Sequence, residues 1–192
     1  MTDLTTTYLG LELRSPVVAS PSPLTGDLPS LKIMDNAGVG AVVLPSLFEE
    51  QITHESVELD RMLDIGFEAN PEATFGYVPQ LDDYNSGLVK YRRLLEDAKE
   101  ALSVPVIASI NGSTRGGWVR YAKMLEESGA DAIELNIYWI PTDFDRSGAD
   151  VEQHYIDVLS AVEAAVHIPV AIKLSPYFSN MANMAKRLCE AG

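Results

Sequence analysis

Five short apolar runs, rich in β-branched and small residues, recur along the chain: Pro16–Ser20, Gly40–Leu44, Pro105–Ser109, Ala132–Asn136 and Pro169–Lys173. Each run is continuous rather than alternating, the pattern of parallel strands covered on both faces. Between them lie stretches whose apolar positions recur with helical spacing, at about Asp27–Asn36, Gly87–Leu102, Gly116–Ser128, Val151–Val166 and Asn180–Ala191. Gly38, Gly129 and Gly192 follow three of these helices where a C-cap glycine is expected. Ahead of the first run, Thr6–Leu9 and Leu11–Leu13 flank Gly10 and read as a short β-hairpin.

Strand and helix therefore alternate, and the right-handed crossover rule turns that series into a parallel α/β sheet. The series also repeats: Val104–Ser109 returns as Ile168–Lys173, and Glu127–Asp131 returns in part as Glu190–Gly192. Repetition of a two-βα unit predicts a (β/α)₈ barrel, which typically takes about 250 residues. The 192 residues hold five barrel strands. The expectation is one incomplete barrel domain, residues 1–192, of about five β/α units with the hairpin plugging one end. A smaller open α/β sheet is the alternative. The long polar stretch Ser46–Ser86 predicts a functional loop on the active face of such a barrel.

Composition narrows the function classes. The formal net charge is −14 and 46% of residues are hydrophobic. Such an acidic chain lacks the clustered Lys and Arg that bind nucleic acid, and no window is long and apolar enough for a transmembrane helix. The N-terminus carries no basic-then-apolar signal, so the expectation is a cytoplasmic protein. Cys189 is the single cysteine, which excludes an internal disulfide and a cysteine-based zinc site.

Candidate chemistry sits where the runs end. Ser20, Ser46, Ser109, Asn136 and Lys173 close the five runs or directly follow them. In a barrel these C-terminal ends converge on one ligand pocket. Lys173 follows three aliphatic residues and is expected to be poorly solvated, so it needs a partner or a task. It can serve as a Schiff-base nucleophile, or it can stay charged and stabilise an anion developing on a bound cofactor. The amide of Asn136 suits the edge of a flat heterocycle.

Glu134–Asn136, followed by Val170–Phe178, resembles the dihydroorotate dehydrogenase family, as do the Thr-Thr hairpin, Pro16–Ser20 and Ser109–Ser113. The similarity runs in order from about Leu4 to Gly192. It implies a TIM barrel that holds FMN at its C-terminal face and oxidises dihydroorotate to orotate in pyrimidine biosynthesis. Residue by residue, the resemblance makes Ala19 and Ser20 contacts of the flavin from the first strand. It makes Ser46 a hydroxyl near the flavin, and Ser109 a neighbour of its ring. Asn136 becomes a contact of both flavin and substrate, and Lys173 the cation at the N1–C2 edge. The partner implied is a small-molecule substrate, with a homodimer compatible. The chain departs from the family at three points, one being that the asparagine-rich substrate loop of the family is not recognisable in Phe67–Tyr77. Trp139 stands where the Cys or Ser base is expected, and an indole accepts no proton. Tyr138 is the nearest ionisable side chain, and a phenol is a poor base. Pro45 stands where the family has a lysine. Two other readings remain open: a Schiff-base lyase or aldolase using Lys173, and a non-catalytic barrel relative that has lost its base.

The remaining candidates read as structural. His54, His154 and His167 lack metal-site spacing and are expected at surfaces or helix ends. Glu49, Glu50, Glu55, Glu58 and Asp60 read as a solvated acidic face rather than a calcium site. Gly112–Gly117 reads as an ordinary strand-to-helix turn rather than a phosphate site. Trp118 and Tyr121 are expected in the core, Met181, Met184 and Leu188 as a packed stripe, and Cys189 buried.

Overall fold

The computed structural model of the chain describes residues 2–55, 57, 87–112 and 114–192. Glu58, Asp60, Ser113 and the stretch 67–77 lie outside the described residues. The hairpin forms as expected: β1 (Thr6–Tyr8) pairs antiparallel with β2 (Leu11–Leu13), Thr6 opposite Leu13. Its two-residue turn places both Leu9 (φ 54°) and Gly10 (φ 74°) in the left-handed region, the requirement of the turn that matches strand twist.

The main sheet has five parallel strands in sequential order: β3 (Val18–Ala19), β4 (Ala41–Phe48), β5 (Val106–Asn111), β6 (Ala132–Asn136) and β7 (Val170–Lys173). Its helices are α1 (Leu28–Ala37), α2 (Gly87–Ala101), α3 (Arg115–Glu127), α4 (Gly148–Glu163) and α5 (Met181–Ala191). Side-chain oxygens of Asp27, Thr114, Ser147 and Asn180 cap four of these helices by accepting backbone N–H groups.

Strand residues divide between two apolar layers. Val42, Leu44, Val106, Ala108, Ile110, Ile133 and Leu135 face outward into the core shared with the helices. Ala41, Val43, Ile107 and Ala132 face inward and pack against Leu13, with Leu9, Leu11 and Val18 beside them. The hairpin thus seals the concave face of the sheet at its N-terminal end, as a barrel plug would.

Several expectations are corrected. The second strand runs past Leu44 to Phe48, so Ser46 lies inside β4 and not in a loop, and residues 49–55 are helical. Glu49 is buried rather than solvated. Its carboxylate accepts from the Thr114 N–H at 2.9 Å and the Thr114 hydroxyl at 2.7 Å, at the N-terminus of α3. A Cβ on Gly117 would sit 2.2 Å from that carboxylate, which is why the helix opens with glycine there. Cys189 is exposed, and Met181 is partly exposed while Met184 and Leu188 pack. Trp118 and Tyr121 are core residues, as expected. No helix among the described residues is long and apolar enough to cross a membrane.

Candidate functional site

The inner face turns polar one pleat above the hydrophobic plug. Ser46 pairs with Ser109 across β4–β5, Ser109 with Glu134 across β5–β6, and Asn136 with Lys173 across β6–β7. Register partners share a face, so these five side chains line one strip of the concave surface.

Ser46 reaches this strip because of a bulge. Between the pairs Val43–Ile107 and Ser46–Ser109, β4 advances three residues while β5 advances two. In a regular strand Pro45 would face inward and Ser46 outward. The bulge takes up Pro45 as an extra residue, at no cost in ladder donors since proline has no N–H, and returns Ser46 to the inner face. Beside the bulge the Tyr91 hydroxyl of α2 accepts the Ser109 N–H at 3.0 Å and donates to the Ser109 carbonyl at 3.2 Å. Burial foremost, and the nearby charge of Glu134, push the Tyr91 pKa up against the lowering effect of its bond to Ser109.

The side chains form a connected chain. Asn136 Nδ2 donates to Ser46 Oγ at 3.2 Å, Ser46 Oγ lies 2.9 Å from Ser109 Oγ, and Ser109 Oγ donates to Glu134 Oε1 at 3.1 Å. The Lys173 ammonium lies 3.7 Å from the same Glu134 oxygen. Glu134 is the residue that sequence reasoning missed. It sits in the middle of an apolar run, and its inward position at a strand centre was the signal available. Lys173 does have a partner, but its side chain is 45% exposed, not poorly solvated as expected. The reason is that β7 is an edge strand among the described residues, with β6 as its neighbour.

A cavity of about 210 Å³ opens beneath this strip, lined by Tyr8, Val18, Ser20, Val43, Glu134 and Ala171 among others. Ser20 therefore shares a cavity with Glu134, while Ala19 packs against the outer core. The volume is below that of usual ligand pockets and suits part of a ligand, an apolar-floored slot with a charged rim.

Beyond Asn136 the chain leaves the strand. Tyr138 is 70% exposed. Trp139 turns onto α4, with the His154 ring 4.7 Å from its own and the Arg146 guanidinium 5.0 Å from its centre. His154 is thus half-buried in mid-helix rather than at a helix end. Burial, then the charge of Arg146, lower its pKa against the opposing pull of Asp157, so the imidazole is neutral at neutral pH. His167 and His54 are exposed, as expected. No group of metal-ligating side chains occurs among the described residues. With Glu49 on the N-terminus of α3, the Gly112–Gly117 turn holds a carboxylate of its own chain.

Fold and site together define a β/α half-barrel with a polar-rimmed slot on its concave face, at the C-terminal ends of the strands. The family model described as dihydroorotate dehydrogenase matches residues 81–192, and the chain belongs to that family. It is 31% identical over 191 residues to the dihydroorotate dehydrogenase B (NAD(+)) catalytic subunit of Methanocella arvoryzae, covering 95% of this chain and 57% of that protein. Identity is 27% over 190 residues to the NAD-dependent dihydropyrimidine dehydrogenase subunit PreA of Escherichia coli K12, covering 95% of this chain and 44% of that one. The chain thus spans about half the length of these relatives. Among solved structures it superposes on a dihydrodipicolinate synthase from Agrobacterium tumefaciens with a TM-score of 0.54 at 19% identity, over 90% of this chain and 50% of that one. At that identity the likeness concerns the fold alone.

Proposed function

We propose that the intact protein is an FMN-dependent dehydrogenase, taking hydride from a dihydropyrimidine-like substrate such as dihydroorotate, with the described residues forming one side of a complete (β/α)₈ TIM barrel. The carrying observation is the pairing of Asn136 and Lys173, which sets an amide and an ammonium side by side on the pleat above an apolar-floored slot. That donor set fits one edge of a flat heteroaromatic ring. Val18, Val43 and Ala171 suit its face. FMN, when bound, supplies the hydride acceptor.

The chain's own residues do the rest. Lys173 holds a fixed positive charge where negative charge develops on the ring edge, and Asn136 orients that edge. Ser46 and Ser109 tie Asn136 to the sheet, and Ser20 with the backbone at Ala19 borders the slot from β3. Trp139 shapes the wall beyond β6 and takes no proton. The carboxylate of Glu134 is a counter-ion for an ammonium, which speaks for electrostatic work by Lys173 rather than nucleophilic attack. On this reading the protein is cytoplasmic, acts on a small molecule without nucleic acid or membrane, and light scattering of the intact protein tests for a homodimer.

The test begins with the full-length gene product. It is expected to purify yellow, and its flavin absorption is expected to bleach anaerobically with a dihydropyrimidine. Lys173→Met is expected to slow that bleaching by about a hundredfold. A colourless protein whose Lys173 is trapped by borohydride with a carbonyl compound would overturn the reading in favour of a lyase or aldolase. A flavin that no dihydropyrimidine reduces would mark a non-catalytic relative.

A further inference from the structure

We propose that Glu134 is a positioning residue: it sets the direction of the hydrogen-bond chain through Ser109 and Ser46, and so decides which atom of Asn136 meets the ligand. The inference rests on the reading of this strip as the ligand site and adds a residue and a polarity to it.

The direction follows from donor counting. A carboxylate accepts and never donates, so the one hydroxyl proton of Ser109 is committed to Glu134 at 3.1 Å. Ser109 Oγ can then only accept from Ser46, whose single proton is committed in turn across 2.9 Å. Ser46 Oγ must accept from Asn136, and only the Nδ2 end of the amide donates, at 3.2 Å. Turning the amide over would put an oxygen against an oxygen with no proton between them. An amide orientation that is ordinarily ambiguous is therefore fixed from two residues away. Oδ1 of Asn136 has no hydrogen-bond donor among the described residues. It is left as the acceptor offered to a ligand, next to the Lys173 ammonium. The ligand edge that satisfies both atoms carries an N–H beside an electron-rich oxygen or ring nitrogen, as a lactam or imide does.

Glu134→Gln removes the constraint with little change of shape, because a glutamine donates as well as accepts and lets the chain run either way. Ser109→Ala and Ser46→Ala cut the chain at successive links. In full-length protein labelled with ¹⁵N asparagine, the Asn136 side-chain amide is assigned through its loss in Asn136→Asp. Its hydrogen exchange is expected to accelerate by about tenfold in each of the three variants, the worth of roughly one hydrogen bond. Unchanged Asn136 exchange in folded Glu134→Gln would overturn the proposal. Should that variant not fold, unchanged exchange in Ser46→Ala, at the half-buried end of the chain, would do the same. FMN titration into wild-type protein separates the two readings. Wild-type protein that binds no FMN yet shows the exchange effect supports the chain's polarity and refutes the flavin assignment. FMN binding with no exchange effect refutes the role of Glu134 alone.

Discussion

At Ser109 backbone and site meet in one residue: its N–H and C=O both bond the Tyr91 hydroxyl, while its own hydroxyl lies between Ser46 and Glu134. Tyr91 serves here as a plug for two peptide groups beside a bulge, and burial keeps it a protonated donor. Tyr91→Phe keeps the ring and removes a hydroxyl bonded to both peptide groups, which also lie in the β4–β5 ladder. At about 0.5–1.5 kcal/mol for a net hydrogen bond, the variant is expected to lose about 1–2 kcal/mol in urea unfolding, and an unchanged stability would refute the role.

At the scale of elements, carboxylates pin the turns that lead into strands. Asp35 accepts from the Ser103 N–H and Asp131 from the Val106 N–H, both at the entry to β5. Glu126 accepts from the N–H groups of His167 and Ile168 ahead of β7. For Asp35, desolvation works upward, but the bonds from Ser103 and the Arg14 guanidinium together hold its pKa below the ordinary 3.8. The unfolded chain thus takes up that proton more readily than the folded one. The stabilisation is complete above about pH 4 and is lost as pH falls through the lowered value. Asp35→Asn is expected to flatten the acid side of the stability curve in thermal melts between pH 5 and 3, and an unchanged acid slope would refute the role. Much at this scale was legible. Strands β5 to β7, the five helices and the hairpin follow from continuous apolar runs, helical spacing and Gly10, because local pattern and tertiary packing agree there. Ser46 was misplaced because a bulge is a property of two strands, and a reading of one strand ends at proline. Glu49 and Glu134 were misread or missed because their partners, Thr114 and Ser109, come from other elements. His154 was placed at a surface or helix end because its contact with Trp139 joins a loop to a helix face.

On the scale of the molecule, the sheet curls around the hairpin and offers its polar strip at the opposite end, so on the proposed function the described residues meet the edge of a ring and little else. The N-terminus of α3, a natural seat for phosphate, is taken by Glu49. Barrels of this kind often hold phosphate in loops after their seventh and eighth strands. Isothermal titration of FMN into the 192-residue chain is therefore expected to give an affinity weaker than micromolar, and tighter binding would show that these five strands suffice. The bulge at Pro45 has one more consequence. A supernumerary residue in a pleated strand is a spare link: shortening the chain there by one leaves the parity of everything downstream intact, while lengthening a regular strand by one inverts it. Position 45 is thus the place in this half-barrel where chain length can vary while the hydroxyl of Ser46 keeps its aim.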